Sequence, residues 1–202
     1  VMTFGLTFGI VFLRELVDKR VRYASDILSL PGARLLGMVP ELDDDPSGAA
    51  RVEMVVRDHP RSIVAESYRQ CYSSLARPFA ASNVSTVLVV GGMPESGTSS
   101  MAVNLSLTAV ASGKRVALVD ANFRRPRVAA LFGIDEGEAG LGEVLSGETT
   151  LESVLHETQE GLFVLATGGA SARIIERLST DEFSRVLQQL SAKVDLVFVD
   201  AP

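Results

Sequence analysis

The sequence predicts an α/β fold, a mostly parallel sheet with helices on both faces, and three observations predict it. Strand candidates at 84–90, 115–119, 162–166 and 196–199, apolar throughout apart from Ser85, Thr86 and Arg115 at their starts, alternate with segments of helical pattern. Runs that are apolar at every position suit strands buried on both faces. The ends of three runs also carry residues of another kind. A turn rich in glycine, proline and serine follows Val90, Asp120 ends the second run and Asp200 ends the last. In open α/β sheets ligands bind beyond the carboxyl ends of the strands.

Composition agrees with a packed domain. The 202 residues can form one domain with an appendage, and 47% apolar against 22% charged residues describes a globular chain. Acidic residues outnumber basic ones, 25 to 19, for a net charge of -6. That balance argues against a general nucleic-acid binder, and no nucleic-acid partner is expected. Cys71 is the single cysteine, so no intrachain disulfide can form and a reducing compartment fits. Nothing near it supplies a catalytic partner, and it reads as a buried, inert thiol.

The elements follow in order. Val1 to Leu13 is apolar apart from threonine and glycine, with no charge before Arg14. As a helix this stretch would span roughly 20 Å, short of a hydrocarbon core of about 30 Å. It reads as the last part of a transmembrane helix, against a signal-peptide core or a buried soluble helix. Arg14, Lys19, Arg20 and Arg22 follow closely, and such charge marks the cytoplasmic side. Residues 1–13 are thus expected to end a membrane helix, 14–60 to form a cytoplasmic juxtamembrane linker, and 61–202 to form the domain. Within the linker, Ser25-Asp26 could cap a short helix through Leu30, stopped by Pro31-Gly32. Leu35 to Val39 is a short strand candidate, and Asp43 to Gly48 an acidic turn stretch with no core-forming pattern. Helices are expected over Ser62–Ala76, Ser99–Ser112, Arg125–Phe132, Gly142–Leu145, Leu151–His156 and Thr180–Ala192. The chain opens inside an apolar run and stops directly after a strand pattern. It is therefore expected to be part of a longer protein, its sheet truncated at the C-terminal side.

The turn after the first strand reads Gly91-Gly92-Met93-Pro94-Glu95-Ser96-Gly97-Thr98-Ser99-Ser100. Against the phosphate-loop pattern G-x-x-x-x-G-K-[ST], Gly92, Gly97 and Ser99 match, while Thr98 stands where lysine belongs. In such a loop glycines let backbone N–H groups curl around phosphate oxygens, the next helix presents its positive end, and a hydroxyl holds magnesium. A tight strand-to-helix turn capped by serine and threonine would look similar. The aspartates decide between them. Asp120 and Asp200 each end an apolar strand facing that loop, where a magnesium ligand or water-orienting group should sit. The candidate nucleotide-binding residues are therefore Gly92, Glu95, Ser96, Gly97, Thr98, Ser99 and Ser100. Ser99, Asp120 and Asp200 are the candidate metal ligands, and Asp120 and Asp200 the candidate catalytic pair.

Residues from about Glu66 to Pro202 resemble the cytoplasmic kinase domain of bacterial tyrosine kinases (BY-kinases), in the MinD/ParA-like branch of P-loop NTPases. Lys114 to Pro126 carries the most specific part, similar to the family's G-K-R-V-L-L-V-D-x-D-x-R-R-P segment. Leu131-Phe132-Gly133, Gly140-Leu141, Val144 to Gly147, and Glu176 with Leu178 and Phe183 follow in family order. Glu66-Ser67-Tyr68-Arg69 resembles the start of the E-x-x-R-x-x-R helix that packs such kinases into a ring. The resemblance implies an ATP- and Mg2+-dependent protein-tyrosine kinase, homo-oligomeric through that helix and partnered with polysaccharide export and polymerisation machinery. It would lie at the bacterial inner membrane, on the cytoplasmic side, and regulate capsule and exopolysaccharide chain length. Asp120 would serve as magnesium partner and base for the tyrosine hydroxyl, Asp200 as the acidic residue of the Walker B strand. Ser99 would ligate magnesium, and Arg124 and Arg125 would help with subunit contacts or phosphate charge.

Four positions depart from the family pattern: Thr98 for lysine, Glu95 for glycine, Asn122 for the second aspartate and Tyr72 for the second arginine. The first two change the local charge by two units beside a triphosphate. One unit pair near 4 Å is worth about 4 kcal/mol before desolvation, so a roughly tenfold or larger loss of affinity is expected. Catalysis should suffer more, because the lysine also stabilises transition-state charge. An active kinase, a degenerate scaffolding or regulatory subunit and a MinD/ParA-like positioning ATPase all stay open.

Overall fold

The computed structural model describes residues 12, 30–82, 84–93, 95–135, 137–169, 178 and 181–202. The expected membrane helix and the helix through Leu30 lie, apart from residues 12 and 30, outside the described residues. Among those described, no helix is long and apolar enough to cross a membrane.

The sheet has five strands: β1 (Thr86–Val90), β2 (Val116–Asp120), β3 (His156–Glu157), β4 (Leu162–Leu165) and β5 (Leu196–Ala201), in the order β1-β5-β2-β4-β3. All pairings are parallel except β3 with β4. Period-two alternation splits each central strand between two cores. Val116, Leu118, Leu196 and Phe198 pack on one face, and Ala117, Val119, Val197 and Val199 on the other. The helices on the first face are α1 (Val55–Asp58), α2 (Ile63–Ser82), α3 (Thr98–Ala111) and α4 (Val128–Phe132). On the second face are α5 (Leu141–Ser146), α6 (Leu151–Val154) and α7 (Asp181–Lys193). Cys71 is buried in the first core, and burial pushes its thiol pKa up, as an inert thiol requires.

Several expectations need correction. The compact unit begins at Leu36, not near residue 60. Met54, Val55 and Val56 are core residues, and Asn104 of α3 explains why this segment packs. Its amide donates to the carbonyls of Val52 and Glu53 at 2.8 and 3.1 Å and accepts from the Val56 N–H at 3.0 Å. Asp45 adds a second tie. Its carboxylate accepts from the Ser47 and Val64 N–H groups, the latter in the first turn of α2, and these bonds hold its pKa down to about 2. Residues 35–39 form no strand; Gly37 instead lies against α2, where a Cβ would sit 2.5 Å from Cys71 Sγ. α2 runs past Ala76 and through Pro78 to Ser82. The helix expected to end at His156 stops at Val154, because His156 pairs with Val164 in the antiparallel β3.

Candidate functional site

Parallel register sets the two aspartates side by side. Asp120 is the Cα partner of Asp200 across β2 and β5, and Val89 of β1 is the partner of Asp200 on the other side. The loop leaving Val90 therefore starts next to the aspartate pair. Both carboxylates are fully buried.

Their surroundings differ. Asp120 Oδ1 accepts from the Asn122 N–H at 3.0 Å, and Oδ2 from the N–H groups of Arg127 at 3.2 Å and Val128 at 3.1 Å. It thus caps α4 from eight residues upstream, which is why that helix begins at Val128 and not at Arg125. Burial dominates over these bonds and pushes its pKa up to about 6, with the neighbouring Asp200 adding to the rise. Asp200 has no hydrogen-bond partner on either oxygen. Burial raises its pKa as well, and the nearby Ser99 side chain pulls the other way, although no Ser99 bond meets hydrogen-bond geometry. Such a carboxylate takes up a proton or a cation, since a buried unpaired charge is costly.

The loop itself is bent twice through left-handed backbone. Gly97 has φ 80° and Glu95 has φ 63°. The first is easy for glycine; the second costs a side-chain-bearing residue of order 1–3 kcal/mol. Gly97 is also the N-cap of α3 and supplies no side-chain acceptor, so the first N–H groups of the helix face the loop. Thr98 Oγ1 lies 3.3 Å from Ser96 Oγ, and both oxygens stand where a Cβ on Gly91 would have to go. Arg125 Nη1 donates to Glu95 Oε1 at 3.0 Å.

A cavity of about 260 Å³ gathers most of the expected residues: Glu95, Ser96, Gly97, Thr98, Ser99 and Ser100 line it. Gly92 does not, nor do Asp120 and Asp200, which are buried at the strand ends. Asn122 and Arg125 also line it, together with three residues that sequence reasoning did not find: Val52, Glu53 and Arg127. Arg127 could have been suspected from its place after the Arg-Arg-Pro run, whereas nothing in residues 52 and 53 signals a site. Among the described residues no group of three or more His, Cys, Asp or Glu is placed to hold a metal. The oxygen set at this edge is therefore two carboxylates and the Ser99 hydroxyl.

No protein-family model matches the chain. The tyrosine-protein kinase ptk of Acinetobacter johnsonii is 33% identical over 141 residues, 69% of this chain and 19% of that protein. The kinase domain of the Escherichia coli tyrosine kinase ETK superposes with a TM-score of 0.70 at 27% identity, over 74% of this chain and 58% of that one. The homologues of this chain are bacterial tyrosine kinases. They extend beyond the kinases by name. The succinoglycan biosynthesis transport protein ExoP of Rhizobium meliloti is 27% identical over 92% of this chain. The chain spans 27% of ExoP's length, and less than a third of most of these relatives. MinD of Pyrococcus horikoshii, solved with Mg-ADP, shares the fold at a TM-score of 0.51 and 24% identity, over 58% of this chain. The mostly parallel sheet is thus that of the bacterial tyrosine kinases and of MinD-type P-loop NTPases.

Within that kinase fold, the segment resembling the family's ring-forming helix lies in the first turns of α2. Glu66 and Arg69 pair with each other at 2.8 Å on its exposed side. Tyr72, in place of the second arginine, is turned into the core.

Proposed function

We propose that the cavity binds the phosphates of a magnesium nucleotide, ATP, in a kinase-like domain whose catalysis is impaired. The observation that carries this reading is Asp200: two buried, unpartnered carboxylate oxygens beside Ser99, under the uncapped end of α3. That is the environment a divalent cation would satisfy. Ser99, Asp120 and Asp200 would hold the ion, which when bound supplies charge neutralisation for the phosphates. Gly97 helps to bend the loop. The backbone N–H groups of Thr98, Ser99 and Ser100 in the first turn of α3 would face the phosphate oxygens, that of Ser96 being taken by the Met93 carbonyl. Asp120, with its pKa near 6, suits a base that takes the proton of a tyrosine hydroxyl near neutral pH. Thr98 cannot reach the outer phosphates as a lysine does, so turnover is slow or absent. A catalytically inactive scaffolding or regulatory subunit is the second reading, favoured by Thr98 and by the Glu95 carboxylate in the loop.

The wider role follows the relatives. In this reading the domain is tethered to the bacterial inner membrane by residues 1–13, on the cytoplasmic side, and acts with polysaccharide export machinery in chain-length control. Glu66 and Arg69, exposed on α2, would contribute to a homo-oligomeric ring.

The test is Mg-ATP binding and autophosphorylation by the full-length protein, beside Thr98→Lys. The lysine variant is expected to bind about tenfold tighter and to turn over faster. Equal turnover by the two proteins would contradict impairment, and absence of binding by both would remove the site. For the tether, full-length protein recovered entirely in the soluble fraction after lysis would refute it.

A further inference from the structure

We propose that Arg125 supplies the phosphate-facing cation that Thr98 cannot, and that Glu95 holds this arginine until a phosphate chain displaces the carboxylate. The proposal rests on the nucleotide reading above. The short Thr98 side chain carries no charge and its hydroxyl is turned to Ser96 Oγ within the loop. Arg125 comes from another strand end, thirty residues along the chain from Glu95, and still lines the cavity formed by Ser96 to Ser100. Its guanidinium is anchored there at 3.0 Å from Glu95 Oε1, on the one non-glycine residue with left-handed backbone among those described. The charged residues lining the cavity are two acids, Glu53 and Glu95, and two bases, Arg125 and Arg127. Opening the ion pair frees the Arg125 guanidinium for a phosphate without changing that sum.

Relative strengths favour the exchange. Both partners are more than half exposed, 64% for Arg125 and 76% for Glu95, and such an ion pair is weak and screened by salt. Arginine binds phosphate through charge-assisted, often bidentate bonds, which are stronger. A second group points to the same ligand: the unpartnered Asp200 carboxylate behind Ser99 would be neutralised by the cation that accompanies the phosphates. The Glu95 carboxylate thus acts as a resident competitor, setting a threshold of nucleotide concentration for occupancy.

The experiment is a calorimetric titration of Mg-ATP into the full-length protein at two salt concentrations, for wild type, Glu95→Gln, Arg125→Gln, the double variant and Thr98→Lys. Arg125→Gln should lose about tenfold in affinity and show a shallower salt dependence. Glu95→Gln should gain severalfold, and the gain should vanish in the double variant. Wild-type affinity in Arg125→Gln overturns the proposal while leaving the site reading intact. So does a Glu95→Gln gain that persists without Arg125, which would mean that the carboxylate simply repels phosphate. If neither wild type nor Thr98→Lys binds Mg-ATP, both readings fall. Melting curves of the variants, expected to match wild type because both residues are exposed, confirm that affinity alone is being read.

Discussion

The ends of β2 and β5 carry the same side chain at the same level of the sheet, equally buried, and the fold treats the two oppositely. Asp120 accepts three backbone N–H groups and organises the turn from Asn122 to Val128. Asp200, its register partner, accepts none. Asp120 thus has an architectural role beside the one proposed for it, whereas no hydrogen bond of the fold engages the Asp200 carboxylate. A buried anion with three donors is compensated by the protein; one with no donor is compensated only by a proton or an ion from outside. Sequence motif alone gives the two aspartates equal standing, and only the hydrogen-bond accounting separates them.

The strongest way to break this comparison is to remove each carboxylate in turn. Asp120→Ala should destabilise the protein by about 3 kcal/mol in urea unfolding, because three N–H groups lose their acceptor. A cost near zero would show that Asp120 is not structural. A second, somewhat smaller effect is on pH. The folded-state pKa of Asp120, near 6, lies above the usual 3.8. The folded protein therefore binds the extra proton, and the Asp120 contribution to metal-free stability is fully present below pH 4 and is lost as pH rises to about 6, at most about 3 kcal/mol. Replacing Asp120 by Asn should flatten that part of the profile, and an unchanged slope would assign it to another group. The smallest effect is expected at the other strand. Asp200→Asn without metal should leave stability unchanged or raise it by about 1 kcal/mol, since it removes a buried unpaired charge. A loss as large as that of Asp120→Ala would mean that Asp200 has an architectural partner after all.

How much of this was legible in the sequence follows from what makes each contact. Strands β2 and β5 were readable because parallel strands buried on both faces leave uninterrupted apolar runs, with Asp120 and Asp200 near their ends. β1, in contrast, lies at the sheet edge with Leu88 and Val90 exposed and was readable from its apolar run alone. The loop was readable from Gly92, Gly97 and Ser99, although Gly92 does not line the cavity. The segment from 36 to 60 was not. Its core contribution, Met54-Val55-Val56, is too short to show a period, and its main ties run to the side chains of Asn104 and Asp45. The start of α4 was misplaced for a related reason: the residue that caps it sits eight positions upstream. The Glu95–Arg125 pair joins two loops thirty residues apart, which no local pattern reports.

In the proposed nucleotide site, Asp200 is kept unpaired to receive the cation of a magnesium nucleotide. The most direct test is to titrate ATP into wild type and Asp200→Asn, each with and without Mg2+. The prediction is Mg2+-dependent binding by wild type that disappears in a folded Asp200→Asn protein. Equal Mg2+-dependent binding by the two would contradict it.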